Sequence, residues 1–169
     1  MGGINLLLTK SVELRKPTLE DGSNIWRLIR KTQVLDLNSA YYYLILSKYF
    51  KNTCIVAEHQ GEIVGFVSAF LLPEKQNTLF IWQVAVDESQ RGKGLASSLL
   101  QELLSREELS NVKYLETTIS PSNKASQALF KKLAENFETE MKKIESISPE
   151  VFPNENHEPE QTYQIGPIH

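Results

Sequence analysis

The sequence predicts an α/β fold in which a mixed central sheet is flanked by helices. Two observations lead to this prediction. Short apolar runs typical of strands alternate with longer segments whose apolar residues recur at helical spacing. The most apolar strand, at residues 78–86, also runs into a glycine-containing turn and an amphipathic helix. The predicted order is β-α-α-β-β-β-α-β-α-β-β, which is typical of a sheet covered by helices.

The first half of the chain is predicted to hold one strand, two helices and a hairpin. A strand is expected at residues 12–15, and Thr18-Leu19-Glu20-Asp21 has the form of a capping box that opens a helix. Residues 36–39 form a break and a new N-cap before a second helix at 40–50. Strands at 53–58 and 62–70 flank a tight turn at 60–61. The inward residues of the first helix are Ile25, Trp26, Leu28 and Ile29.

The second half continues the alternation. A polar loop at residues 73–77 precedes the strand at 78–86, and a strand is predicted at 114–119. Ser120 as N-cap with Pro121 at the first helical position predicts the last helix. Weaker patterns suggest strands at 139–144 and 161–165, with a loop at 148–160 between them. The inward residues are Leu95, Ala96, Leu99, Leu100, Leu103 and Leu104 in the third helix, and Ala125, Ala128, Leu129 and Leu133 in the last.

Composition limits the class of protein. A chain of 169 residues that is 41% hydrophobic and 23% charged fits one domain over 1–169, with residues 1–11 as a flexible N-terminus. The net charge of −3 gives no support for nucleic-acid binding, which relies on a basic surface. No apolar run has the length of a membrane span or of a signal-peptide core. Cys54 is the only cysteine and is expected in the core, so we expect a cytoplasmic protein without disulfides.

The turn after the strand at 78–86 carries the main functional signal. Arg91-Gly92-Lys93-Gly94-Leu95-Ala96 fits the pattern R-x-x-G-x-A. Glycines let a backbone pass close to a ligand, and the free N–H groups of a helix start bind phosphate. The pattern is neither a P-loop nor G-x-G-x-x-G, and two glycines alone are more often a simple turn. The apolar strand and the amphipathic helix around it favour a phosphate-bearing cofactor.

The order of elements and this turn resemble the GCN5-related N-acetyltransferase superfamily, whose turn and helix start hold the pyrophosphate of acetyl-coenzyme A. Further blocks resemble one branch of it, the diaminobutyrate acetyltransferases of ectoine biosynthesis. The resemblance covers about residues 12–165. The blocks are Gln33-Val34-Leu35-Asp36-Leu37-Asn38-Ser39, Phe66-Val67-Ser68, Trp82-Gln83-Val84-Ala85-Val86-Asp87 and Leu115-Glu116-Thr117-Thr118-Ile119-Ser120-Pro121-Ser122-Asn123.

The resemblance implies acetyl transfer from acetyl-coenzyme A, as co-substrate, to the γ-amine of L-2,4-diaminobutyrate, in a homodimer that serves osmotic-stress defence. The main chain of Val84, Ala85 and Val86 would bind the pantetheine arm and polarise the thioester carbonyl. Asn123 and Phe130 would flank the distal part of the coenzyme, with a helix cap as the structural alternative for Asn123. The pyrophosphate would be surrounded by Arg91, Gly92, Lys93, Gly94, Leu95 and Ala96.

The acceptor amine has a pKa of about 10 and must lose a proton before it attacks. Asp36 and Glu160 are the first candidates for attracting the ammonium and removing this proton, and Glu116 is the third. Each has a structural alternative. Asp36 is a candidate cap of the second helix, Glu160 a candidate solvated loop charge, and Glu116 a candidate buried structural carboxylate.

Other side chains are candidates for shaping the acceptor pocket. Trp82 and Gln83 lie beside the thioester-binding segment, and Trp82 is placed for a cation–π contact, with core packing as its alternative. Asn38 and Tyr41 are candidates for holding the carboxylate and α-amine of the substrate. The Tyr41-Tyr42-Tyr43 run must contain a structural tyrosine, because three successive helical positions do not share a face. His157 is a candidate acceptor contact, or a solvated loop side chain.

One departure from the superfamily pattern concerns the acid. Many members place a tyrosine in the late helix to protonate the leaving thiolate, and here Phe130 stands at that position. The acid is therefore another group or water, or none is needed. Three scattered histidines and one cysteine argue against a catalytic metal. The competing hypotheses are an acetyltransferase of another small diamine or amino acid, and a non-catalytic module that binds acetyl-coenzyme A.

Overall fold

The computed structural model describes residues 12–169, so the expected flexible segment 1–11 lies outside the described residues. Seven strands and four α-helices follow one another there in the predicted order. The strands are β1 (Glu13–Arg15), β2 (Ile55–His59), β3 (Glu62–Leu72), β4 (Lys75–Val86), β5 (Tyr114–Ile119), β6 (Glu140–Ile147) and β7 (Glu160–Gly166). The helices are α1 (Gly22–Thr32), α2 (Ala40–Tyr49), α3 (Leu95–Leu104) and α4 (Lys124–Asn136).

The strands form a seven-stranded sheet in the order β1-β2-β3-β4-β5-β7-β6. β2 pairs antiparallel with β1 and β3, and β7 pairs antiparallel with β5 and β6. β4 and β5 pair in parallel. The sheet is therefore mixed, as the sequence predicts. Within residues 12–169, no helix combines the length and the apolar character that crossing a membrane requires.

The described residues divide into two compact units. The first comprises the residues up to Val67 together with Val84–Glu102, and the second comprises Ser68–Gln83 and Leu103–His169. A single domain over 1–169 stays a prediction.

The first unit has its core between α1, α2 and the strands β2 and β3. The predicted inward residues Ile25, Leu28 and Ile29 are buried, and Trp26 is half-buried against them. The Tyr43 ring packs edge-on against Phe66, with ring centroids 6.1 Å apart. Cys54 is fully buried in this core, as predicted. Burial of this apolar face is the main stabilising term for helices of this length.

An ion-pair network closes the first unit near β1. The Arg15 guanidinium donates to both carboxylate oxygens of Asp21, at 2.7 and 2.9 Å, and to Glu58 at 2.9 Å. The backbone N–H of Thr18 also donates to Asp21, at 2.7 Å, which is one half of the predicted capping box. Residues Leu19–Asp21 form a short 3₁₀ turn, so α1 begins only at Gly22.

The second unit packs α4 against strands that include β6. Two corrections apply to α4. Asn123, not Ser120, is its N-cap: the Asn123 Oδ1 accepts from the Ser126 N–H at 3.1 Å, while residues 120–123 make a separate turn. Its buried residues are Phe130, Leu133 and Ala134, whereas Ala125 and Ala128 are exposed. The buried face of α4 therefore runs through Phe130, Leu133 and Ala134, with Leu129 half-buried beside it.

The predicted polar loop at 73–77 is also shorter than expected. β3 extends to Leu72 and β4 begins at Lys75, so only Pro73 and Glu74 form the turn. Polar side chains at 75–77 are exposed on the sheet. These residues lack the alternation of apolar and polar side chains that predicts a strand, although their backbone belongs to β4.

Candidate active site

The R-x-x-G-x-A turn has the backbone geometry of an anion site. Gly92 and Gly94 have φ of +75° and +73°, a conformation that L side chains rarely adopt. The Gly94 carbonyl accepts from the Ser98 N–H at 3.0 Å, so α3 starts directly behind the turn and its first N–H groups lack helical acceptors. Arg91 and Lys93 are exposed beside them. Free N–H groups, a helix dipole and two cations all favour a phosphate here.

Asp87 holds the segment that leads into this turn. One of its carboxylate oxygens accepts from the Ser89 hydroxyl at 2.6 Å and the Ser89 N–H at 3.1 Å, and the other accepts from Lys31 Nζ at 2.9 Å. The bonds from Ser89, followed by that from Lys31, lower the pKa of Asp87 below its usual range. The hydrogen bond to Asp87 raises the pKa of Lys31. The end of α1 is thereby tied to the turn.

A cavity of about 550 Å³ opens in the first unit beside the turn. Val86 and Arg91, two residues expected to contact the coenzyme, both line it. The rest of its lining is Leu28, Lys31, Thr32, Gln33, Asp87, Glu88 and Ser89. Sequence reasoning missed the end of α1 as part of this site. Gln33 ends α1 in the left-handed conformation with φ of +57°, but it is neither Gly nor Asn, so the sequence carries no signal for this helix end.

The pairing of β4 with β5 ends before the C-terminal part of β4. Residues 78–81 pair with residues 114–117, and Trp82 and Gln83 lie beyond the last pair. The Thr117 hydroxyl donates to the Ile81 carbonyl oxygen at 2.9 Å at this point. The Gln83 N–H donates to the Ser68 hydroxyl at 3.0 Å, and the Gln83 side chain is buried. The parallel ladder therefore opens where the candidate thioester segment begins.

Trp82 lies at the surface and is not a core residue. Its side chain is 48% exposed. Its ring lies edge-on to Phe70 at a centroid distance of 6.2 Å, and Phe70 in turn lies 5.2 Å from Phe80. These three rings, which we call the aromatic row, lie in the second unit and end in the half-exposed side chain of Trp82.

Glu116 is a buried carboxylate beside this row. It pairs with Phe80 across the parallel strands, so the two side chains lie on the same face of the sheet. Its side chain is 9% exposed, and its Oε1 has no hydrogen-bond partner within residues 12–169. Lys75 Nζ lies 4.0 Å from that oxygen. The alternative of a hydrogen-bonded structural carboxylate does not hold for Oε1.

The connection between α1 and α2 places Asp36 at the surface. Ser39, not Asp36, is the N-cap of α2: its hydroxyl accepts from the Tyr42 N–H at 3.3 Å. Asp36 is exposed and precedes the helix by four residues. The capping alternative for Asp36 is therefore excluded.

The three consecutive tyrosines divide as predicted. Tyr43 is fully buried and is the structural one, and its hydroxyl accepts from the Asn38 N–H at 3.4 Å. Tyr41 is 69% exposed. Asn38 is half-buried, and its backbone is held by the core tyrosine.

The segment before β7 carries His157 and Glu160. Glu160 is the first residue of β7 and is half-buried, so it is not a solvated loop charge. The His157 ring stacks on Phe152 with centroids 3.7 Å apart, so it is not simply solvated either. The Ser122 hydroxyl donates to Glu158, which ties this segment to the start of α4.

No group of three His, Cys, Asp or Glu side chains suited to a metal ion occurs in the described part of the chain.

Two residues of α4 that were expected at the coenzyme have clear structural roles. Asn123 caps the helix through its side-chain oxygen. Phe130 is 2% exposed, which leaves almost no surface for a ligand. Phe130 is thus a core side chain.

Known proteins resemble this chain over nearly its whole length. L-2,4-diaminobutyric acid acetyltransferase of Marinococcus halophilus is 55% identical over 158 residues, covering 94% of this chain and 91% of that protein. The enzyme of the same name from Halalkalibacterium halodurans is 52% identical over 162 residues, covering 96% and 85%.

Solved structures agree with this similarity. Diaminobutyrate acetyltransferase from Paenibacillus lautus, in complex with its substrate L-2,4-diaminobutyric acid and coenzyme A, superimposes with a TM-score of 0.90 at 44% identity, covering 94% of this chain and 96% of that one. An N-acetyltransferase from Staphylococcus aureus at 21% identity and a TM-score of 0.72 shares the fold. The sequence profile of the acetyltransferase (GNAT) family matches residues 23–134. The chain belongs to the acetyltransferase (GNAT) family.

Proposed function

We infer that this chain transfers the acetyl group of acetyl-coenzyme A to the γ-amine of L-2,4-diaminobutyrate. The observation that carries this conclusion is the 44% identity and TM-score of 0.90 to the Paenibacillus lautus enzyme, which was solved with that amino acid and coenzyme A. The R-x-x-G-x-A turn, which we call the coenzyme turn, and the cavity beside it support the proposal, because they offer free N–H groups, cations and space for the coenzyme.

The pyrophosphate of the coenzyme is proposed to lie on the R-x-x-G-x-A turn. The N–H groups at the start of α3 and the cations Arg91 and Lys93 support this assignment. Gly92 and Gly94 keep side chains away from the approaching phosphates. Leu95, which is buried, anchors the helix behind them, and Ala96 leaves space at the first helical turn.

The pantetheine arm is proposed to add to the main chain of β4 at Val84, Ala85 and Val86. The end of the β4–β5 ladder at Ile81 supports this, because strand edges accept extended ligands through backbone hydrogen bonds. A backbone N–H in this segment would polarise the thioester carbonyl and stabilise the oxyanion of the tetrahedral intermediate.

The acceptor amine must be neutral to attack the thioester. With a pKa of about 10 for an alkylamine, it arrives as an ammonium, and a carboxylate is needed to attract it and to take its proton. Asp36 and Glu160 are the proposed carboxylates, because Asp36 does not cap α2 and Glu160 lies in β7 and not in a loop. The neutral amine then adds to the thioester carbonyl, and the C–N bond forms in a tetrahedral intermediate. This intermediate loses the second ammonium proton to solvent and collapses to the amide, with the C–S bond breaking to release the coenzyme A thiolate.

Trp82, whose side chain is half exposed, is proposed to contact an ammonium of the acceptor through its indole ring. Asn38, Tyr41 and His157 are proposed as further contacts to the acceptor, and the exposure of Tyr41 is consistent with this. Gln83, being buried, is proposed to position the strand. Phe130 has no hydroxyl with which to protonate the leaving coenzyme A thiolate, so water is the proposed proton source.

The cellular setting is also proposed: a cytoplasmic homodimer in the synthesis of ectoine under osmotic stress. The names of the relatives support the substrate on which such a pathway depends. Sedimentation equilibrium of the purified chain tests the dimer.

The decisive experiment compares acceptors. Thiol release from acetyl-coenzyme A is measured with L-2,4-diaminobutyrate, ornithine, lysine and 2,3-diaminopropionate, and NMR of the product identifies the acetylated nitrogen. We expect diaminobutyrate to react fastest, at its γ-amine. Equal rates on all four would contradict the substrate assignment. Tight coenzyme binding without thiol release on any amine would instead indicate a binding module.

The carboxylates are tested by substitution. Asp36→Ala and Glu160→Ala are expected to lower kcat/KM for the amine while leaving the KM for acetyl-coenzyme A unchanged. Glu155→Ala, at an exposed loop carboxylate close to Glu160 in sequence, is the control. Loss of activity in the control to the same extent would refute the assignment.

A further inference from the structure

We propose that Ser68 and Thr117 are positioning residues whose side-chain hydroxyls fix the backbone of β4 at the point where it leaves its ladder with β5. The inference rests on the proposed function, since it concerns residues 84–86 as the segment that binds the pantetheine arm. Both residues act through the β4 backbone and not on the reacting atoms.

The first step is the place where β4 and β5 separate. Their last parallel pair joins Ile81 to Thr117. From there β5 continues in its antiparallel pairing with β7, while β4 continues to Val86 beyond the last pair. A strand that leaves a ladder gives up backbone partners, and in the interior of a protein those groups must find others.

The second step is the set of partners found at this place. On the β5 side, the Thr117 hydroxyl donates to the Ile81 carbonyl oxygen at 2.9 Å. On the β3 side, the Ser68 hydroxyl accepts from the Gln83 N–H at 3.0 Å. Both neighbours of β4 therefore supply a side-chain hydroxyl to its backbone. Val84 follows Gln83 directly, so these bonds fix the residues that lead into the proposed binding segment.

The third step is the burial of the two bonds. Ser68 is 1% exposed and Thr117 is 3% exposed, so water does not replace either hydroxyl. A buried carbonyl or N–H that loses its partner bears the full cost of its desolvation. Loss of either hydroxyl therefore favours a shifted β4 backbone, in which the group left behind reaches another partner.

The fourth step is the effect on the coenzyme. An extended ligand binds a strand through backbone N–H and C=O groups, so it needs that strand in one conformation. If the conformation is populated only part of the time, the affinity falls by that fraction. The pyrophosphate is instead proposed to lie on the coenzyme turn, whose glycines set their own conformation. Loss of either hydroxyl should thus weaken binding of the pantetheine arm and spare the nucleotide end.

The test measures the Kd of the purified full chain for two ligands by isothermal titration calorimetry. They are coenzyme A and adenosine 3′,5′-bisphosphate, which lacks the pantetheine arm. Thr117→Val keeps the branched shape and removes the hydroxyl, and Ser68→Ala acts on the other side of β4. We expect each to raise the Kd for coenzyme A at least about fivefold, because the binding conformation is then populated about a fifth of the time or less. The Kd for the bisphosphate should not change.

Two further variants separate positioning from general stability. Thr117→Ser keeps the hydroxyl and should retain the wild-type Kd for coenzyme A. Ser47→Ala is the matched control, because the Ser47 hydroxyl is also 1% exposed and donates to the Tyr43 carbonyl oxygen at 2.8 Å inside α2. It should lose stability in urea unfolding to an extent comparable with Ser68→Ala, with no change in either Kd.

Equal rises in the Kd for coenzyme A and for the bisphosphate would overturn the proposal, because they indicate a general loss of structure. A Kd for coenzyme A that stays unchanged in Thr117→Val and Ser68→Ala would do the same, as would a Thr117→Ser variant that binds as weakly as Thr117→Val. If Thr117→Val does not fold, Ser68→Ala decides between these outcomes. None of these measurements needs an acceptor. Wild-type protein that binds coenzyme A but acetylates no diaminobutyrate refutes the proposed function itself, which is a separate result.

Discussion

Substitution of Gly94 by Ala tests the coenzyme turn most directly, because Gly61 offers a matched control. Gly94 has φ of +73° and Gly61 has φ of +80°, and a Cβ added at either meets nothing within 4 Å. Neither substitution creates a clash, so the cost to the free protein is backbone strain alone. For an L-residue in this region that strain is about 1–2 kcal/mol. We expect urea unfolding to show a loss of this size in both variants.

The two variants should differ in coenzyme binding. A methyl group at Gly94 keeps a phosphate oxygen from reaching the backbone N–H groups at hydrogen-bond distance. Hydrogen bonds to a charged group contribute about 1.5–3 kcal/mol each. Losing one corresponds to a roughly tenfold to hundredfold higher Kd for coenzyme A. Gly61→Ala, in the turn between β2 and β3, should leave the Kd unchanged.

Isothermal titration calorimetry of coenzyme A into each variant measures this difference. Equal Kd values for Gly94→Ala and Gly61→Ala, with equal losses of stability, would refute the placement of the pyrophosphate on this turn. A larger stability loss in Gly94→Ala alone would mean that the turn carries strain beyond its φ.

The remaining predictions concern stability, salt and the acid. Asp21→Asn removes the charge that Arg15 contacts, and urea unfolding should show a loss of about 2–3 kcal/mol. Burial raises the pKa of Asp21, but the bonds from Arg15 and its other donors lower it further, so the net shift is downward. The ionised Asp21 carboxylate therefore stabilises the fold above pH ~4, and this contribution is lost as the pH falls through the lower folded-state pKa. If the free energy of unfolding of Asp21→Asn fell with acid as steeply as that of the wild type, this reasoning would be contradicted. Lys31→Met removes the exposed partner of Asp87 and should weaken coenzyme A binding modestly. The loss of affinity should be larger at low salt, because dissolved salt screens exposed charges. Calorimetry that gave equal losses at low and high salt would contradict this. Phe130→Tyr should lower the free energy of unfolding by about 1–3 kcal/mol, because the introduced hydroxyl would be buried without a hydrogen-bond partner. It should not raise kcat. A higher kcat would show that the wild type lacks an acid for the leaving thiolate.

The order of elements follows from local pattern in the sequence. The apolar spacing of Ile25, Leu28 and Ile29 places one face of α1 in the core, and the glycines of the R-x-x-G-x-A turn mark the start of α3. These signals lie within a few residues of each other, so no long-range contact is needed to read them. The start of β4 was missed because residues 75–77 are polar on a strand whose pairing depends on distant residues.

Chemical type and pattern in the sequence indicated the family and the R-x-x-G-x-A turn before α3, because the conformation of a glycine turn depends on its own residues. Only the tertiary structure decided which side chains are available. It showed that Trp82 is half exposed, that Phe130 is buried and that Ser39, not Asp36, caps α2. It also set the unpartnered Glu116 oxygen 4.0 Å from Lys75, 41 positions away in the chain. Burial and distance across strands are properties of the packed sheet, and no local pattern encodes them.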